Sequence, residues 1–69
     1  MNFIRQIREN SGMTQEMLAL RVGVDRSTVA KWESDAANPR VETLIKLAQI
    51  FDCKLDDLLE GKEVPGNVH

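Results

Sequence analysis

Between positions 26 and 34 the chain carries side chains suited to touching a polyanion. Arg26 and Lys31 are long cations, Ser27 and Ser34 are small hydroxyls, and Ala30 offers a methyl group. Ser27, Ala30, Lys31 and Ser34 follow i, i+3, i+4, i+7 spacing, so on a helix they share one stripe. Three small side chains and one cation let a helix sink into a groove, whereas a purely solvated helix more often carries several Glu and Lys. Arginine or lysine donates to guanine O6 and N7 in the major groove, while serine reads either base type and discriminates poorly. Thr28 and Ser34 are candidate phosphate contacts. Gln15, at the start of an earlier helix, sits where free N–H groups and the helix dipole attract a phosphate. The bland alternative for the cations is a solvated helix face.

Other chemistry is poorly represented. No nucleophile–base set and no glycine-rich phosphate loop occurs, so an enzyme is not expected. Asp56 and Asp57 are neighbours on a helix and point different ways; the first turn of a short helix, where the dipole favours acid, accounts for them. No metal-ligand spacing is present, His69 is the last residue, and neither a cofactor nor a small-molecule ligand is expected. Cys53 has no internal partner and reads as a small, half-buried apolar residue; a lone thiol fits a cytoplasmic compartment. Met1 to Arg8 hold two arginines and no long apolar run, so neither a signal peptide nor a membrane span is expected there.

The elements that must position the stripe are helical. Aromatics are few, tyrosine is absent and no strand-like alternation occurs. The 69 residues suit one domain, expected over 1–61 with a flexible tail over 62–69. Helix 1 is expected over Asn2 to Asn10, with Phe3, Ile4 and Ile7 on one side and Ser11-Gly12 as its stop. Thr14 caps helix 2, Gln15 to Val22, with Leu18, Ala19 and Val22 inward. Asp25 caps helix 3, Arg26 to about Ser34, with Val29 and Trp32 inward. Pro39 keeps Asn38 out of a helix. Helix 4, about Val41 to Phe51, has a broad apolar set including Val41, Leu44, Ile45, Leu47 and Ala48, and is expected to be the most buried. A short helix 5 covers about Leu55 to Leu59, closed by Gly61.

Helices 2 and 3 meet over Gly23-Val24-Asp25, and a steep crossing on so short a turn has strict needs. Ala19 supplies the small residue at the crossing, and Gly23 supplies the backbone that tolerates positive φ. Leu18, Val22, Val24, Val29 and Trp32 pin both helices. With these residues the chain resembles the phage repressor/Cro-type helix-turn-helix family, also called the XRE family. The shared pieces are Ile7-Arg8, Gly12-Met13-Thr14-Gln15, Leu18-Ala19, Gly23-Val24 and Val29-Ala30-Lys31-Trp32-Glu33. Pro39, Thr43 to Ala48 and Leu55 to Leu59 extend the match over about residues 3–60.

The resemblance implies an all-α, five-helix, lambda-repressor-like domain that binds operator-like double-stranded DNA, usually as a homodimer, and regulates transcription. It implies that Gln15 bonds the DNA backbone and that Arg26, Ser27 and Lys31 occupy base-reading positions. Arg40 matches a loop position that approaches the backbone or minor groove; it also stands where many relatives have a small capping residue. Arg8 and Glu33 match a pair that forms a salt bridge between helix 1 and the recognition helix. Leu58 and Leu59 either close the core or, with Val64, contribute to a dimer contact. The net charge of −2 weighs against a polyanion partner, but residues 1–40 hold six basic and five acidic side chains, so the acid is concentrated later in the chain. The alternative function is a protein-interaction module of the same fold without DNA binding.

Overall fold

The computed structural model describes the backbone of residues 2–60 and the side chains of residues 3–58. The expected tail over 62–69, the helix stop at Gly61 and the side chains of Leu59 and Val64 lie outside these residues. Five α-helices make up the described chain: α1 Asn2–Asn10, α2 Gln15–Val22, α3 Arg26–Glu33, α4 Val41–Ile50 and α5 Leu55–Glu60. Among the described residues there is no strand. The expected all-α, five-helix architecture is therefore present. Ser34 and Phe51 lie one position beyond their helices, and α5 runs one residue further than expected.

The helices begin and end for local reasons. Thr14 is extended, and its Oγ1 accepts from the Met17 N–H at 3.0 Å, satisfying a donor that the first turn leaves free. Asp25 has cap geometry, but its side chain makes no capping hydrogen bond; its backbone carbonyl receives the Thr28 N–H at 2.9 Å instead. Arg40 likewise begins α4 without a side-chain cap, as its departure from a small capping residue implied. Four helices close alike, with a left-handed residue just past the end, at Gly12, Gly23, Asp35 and Asp52. In each case the next N–H reaches back five residues: Met13 to Arg8, Val24 to Ala19, Ala36 to Lys31 and Cys53 to Ala48, all at 2.9–3.1 Å.

One core joins all five helices. Ile4 and Ile7 of α1, Leu18, Ala19 and Val22 of α2, Val29 and Trp32 of α3, Leu44, Leu47 and Ala48 of α4, and Leu58 of α5 are buried together with Phe51. Leu58 has no accessible surface, which places it in the core rather than at a contact with a second chain. Cys53 is half-buried against this cluster; burial, with Asp57 and Asp52 nearby, pushes its thiol upward in pKa. The expectation that α4 is the most buried helix needs correction. Val41 is 65% exposed and Ile45 45%. These two share the outer edge of a stripe wider than the small core can cover. Helix α3 packs on both α1 and α2.

Candidate nucleic-acid interface

The site is built around α3, and its inner face comes first because it fixes the outer one. Val29, Trp32 and Glu33 are buried. Glu33 is an acid inside the protein, and burying a lone carboxylate is costly. Three hydrogen bonds answer that cost. Arg8 of α1 donates from Nε to one oxygen at 2.6 Å and from Nη2 to the other at 3.0 Å, and Gln15 donates from Nε2 at 3.0 Å. The two arginine bonds form the bidentate pairing that guanidinium geometry favours. Arg8 spends its remaining nitrogen on the Met13 carbonyl at 2.7 Å, which ties the α1–α2 turn to the same cluster. The side chains of Arg8 and Glu33 are 10% and 5% exposed, and among the described residues no buried side-chain nitrogen or oxygen lacks a partner. Burial pulls the Glu33 carboxyl upward in pKa, but the hydrogen bonds from Arg8 and Gln15 and the charges of Arg8 and Arg5 outweigh it, leaving the carboxyl below its ordinary value. Arg8 is raised, chiefly through its hydrogen bond to Glu33.

A second tie holds α2 from the other side. Lys46 of α4 places its Nζ 3.1 Å from the carbonyl oxygen of Val22, the last residue of α2. A cation there meets both an unpaired carbonyl and the negative end of the helix dipole. The following residue, Gly23, has φ of +87°, so this bond pins the turn that sets the angle between α2 and α3.

The outer face of α3 is open. Arg26, Ser27, Lys31 and Ser34 are exposed, and Thr28 and Ala30 are half-buried. Ser27, Ala30 and Lys31 lie on the helix in the expected stripe; Ser34 caps its end and donates its hydroxyl to the Lys31 carbonyl at 3.3 Å. Gln15, the first residue of α2, is half-buried, with its amide nitrogen on Glu33. A carboxylate only accepts, so the nitrogen must face Glu33; a carboxamide has two N–H donors, and this bond uses one. Arg40 is exposed at the start of α4. An open depression of about 310 Å³ brings Gln15, Ala30 and Ser34 together with Arg5, Arg8 and Glu33. Arg26, Ser27, Thr28, Lys31 and Arg40 do not line it. Sequence reasoning passed over the Lys46 tie, the Gln15–Glu33 bond and the presence of Arg5 in this depression. The two ties join residues 24 and 18 positions apart, a separation at which no local spacing gives a signal.

Two short helices joined by a tight glycine turn, the second buried along one face and bare along the other, define a helix-turn-helix domain. Residues 4–58 match the helix-turn-helix family of regulators, and the chain belongs to it. The match bears out the resemblance to phage-repressor-type regulators. The chain is 36% identical over 61 residues to the HTH-type transcriptional activator BcrR of Enterococcus faecalis, covering 88% of this chain and 30% of BcrR. It is 42% identical over 55 residues to an uncharacterized HTH-type transcriptional regulator of Archaeoglobus fulgidus, covering 80% of this chain and 79% of that protein. It is 30% identical over 60 residues to the cryptic phage CTXphi transcriptional repressor RstR of Vibrio cholerae, covering 87% of this chain and 54% of RstR. The chain thus spans under a third of BcrR and about half of RstR. No solved structure gives a significant match. The relatives are transcriptional regulators, so the family is not an enzymatic one.

Proposed function

We propose that this chain is a sequence-specific DNA-binding transcriptional regulator that lays α3 in the major groove of a palindromic operator. One observation carries the reading: α3 is locked along its inner face and bare along its outer face, where small side chains surround Lys31. An α-helix with side chains is roughly 10–12 Å across and the major groove is about 12 Å wide. A helix meant for the groove therefore benefits from short side chains with one or two long donors. Arg26, Ser27 and Lys31 face the bases, Thr28 and Ser34 reach the backbone, and Arg40 touches the backbone beside the groove. Gln15 gives its second amide N–H to a phosphate, and Glu33 aims it.

The domain over 1–61 acts as a homodimer on DNA, which sets two α3 helices about 34–36 Å apart, one helical turn of the duplex. Few cations line the outer face, so a monomer binds weakly and pairing supplies the affinity. With Leu58 committed to the core, the pairing surface lies elsewhere on the domain. Among the described residues no helix is long and apolar enough to cross a membrane, and we place the protein in the cytoplasm with its DNA. Selection of bound duplexes from a random pool tests the proposal. A recovered palindrome with half-sites one turn apart supports it. No enriched duplex at low salt contradicts it and favours the protein-interaction module.

A further inference from the structure

We propose that Arg5 of α1 is a DNA-phosphate contact, extending the interface from the helix-turn-helix onto the first helix. The inference rests on the major-groove reading of α3. Its observation is the depression that Arg5 shares with Gln15 and with Ala30 and Ser34 of the outward stripe. A helix that fills the groove leaves no room beside itself for further elements. Whatever flanks it on the protein surface faces the sugar–phosphate rails. The depression flanks α3 on its α1 side, so a rail passes over it.

Two arginines line that depression, and only one is available. Arg8 is committed to both oxygens of Glu33 and to the Met13 carbonyl. Among the described residues Arg5 is paired only with Glu9, at 3.2 Å, with side chains 64% and 54% exposed. Exposed i, i+4 pairs of this kind are worth about 0.3–0.5 kcal/mol, so Arg5 leaves Glu9 readily for a rail of phosphates, each carrying one negative charge. The floor of the depression does not repel an anion, because Arg8 neutralises Glu33. Ala30 and Ser34 are short enough to let the backbone approach.

The test is the salt dependence of operator binding by the whole chain. Each neutralised phosphate contributes about 0.9 to the slope of log affinity against log salt. Arg5→Ala removes one contact from each protomer of the dimer, so it should bind more weakly at low salt, with a slope shallower by about 1.8, and its deficit against the parent shrinks about 12-fold between roughly 50 and 200 mM salt. Arg5→Lys should keep the parent slope. Lys54→Ala removes the same charge from the exposed α4–α5 connection, and should leave the slope unchanged. Arg5→Ala with an unaltered slope overturns the inference, as does Lys54→Ala with an equal change, which would make the effect one of net charge. If the parent chain binds no duplex at low salt, the major-groove reading itself has failed; that outcome is distinct from a parent that binds and an Arg5 variant that matches it.

Discussion

The two faces of α3 are eight residues long and share one backbone, yet they obey opposite rules. Inward, Val29 and Trp32 fill the core and Glu33 is held by three hydrogen bonds. Outward, Arg26, Ser27 and Lys31 are exposed. Presenting a helix to a ligand demands this division. The inner face fixes where the outer face stands, and the outer face is left free to exchange water for a partner. Changes on the inner face should therefore move stability, and changes on the outer face should move binding.

The largest expected effect is on the inner face. Arg8→Ala strands the Glu33 carboxylate in the protein, and breaking one side of a buried pair costs about 3–5 kcal/mol. A domain of this size has about 3–5 kcal/mol in hand, so the variant should be largely unfolded by circular dichroism at room temperature. The double variant Arg8→Met with Glu33→Leu should recover most of the lost stability, because an apolar pair of similar volume is often neutral or better. If Arg8→Ala unfolds at the parent's denaturant midpoint, the locked inner face is not what holds α3.

Acid probes the same lock without mutation. The folded-state pKa of Glu33 lies below its unfolded value, so the unfolded chain binds protons first. The stabilisation is then fully present above the ordinary carboxylate range and drains away as pH falls through the depressed value. Thermal midpoints should fall between about pH 5 and pH 2, and the double variant should show a shallower fall over that window than the parent.

Smaller effects are expected where the helices end, and these show what was legible in the sequence. Gly12 and Gly23 were readable as stops because glycine alone takes the left-handed region without strain. Asp35 and Asp52 do the same work at φ of 65° and 54°, and were not readable, since aspartate tolerates this region without requiring it. Gly23→Ala should cost about 1–2 kcal/mol from backbone strain alone; the added methyl would meet only the Lys46 Nζ at 4.0 Å. Asp52→Gly should stabilise by up to about 1 kcal/mol, with the left-handed strain removed and glycine's greater chain entropy working against it. Denaturant melts of both variants check the signs.

The helix boundaries were legible for the same reason as the glycine stops: caps, periodicity and breakers act over three or four residues. The Arg8–Glu33 bridge came from the family resemblance, not from spacing. Burial was harder to judge. The apolar stripe of α4 calls for cover over Val41 and Ile45, but a core built by five short helices has too few partners to supply it. The partner of Gln15 was hidden because a glutamine at a helix start serves a phosphate and a neighbouring carboxylate with the same amide. In this fold one of its N–H donors is on Glu33. Arg5 carried no signal in the sequence, and only the packing of α1 on α3 sets it beside the outward stripe.

The claim that the outer face of α3 reads DNA is tested most directly with Lys31→Ala. Operator affinity and denaturant stability should be measured on the same preparation at one salt concentration. The expected result is a stability within about 0.5 kcal/mol of the parent, as for surface substitutions away from special features. Affinity should drop by about 1–3 kcal/mol, roughly 5- to 150-fold, for each half-site, with discrimination relaxed at one base pair of each. Unchanged affinity and unchanged discrimination in a fully folded variant would contradict the account.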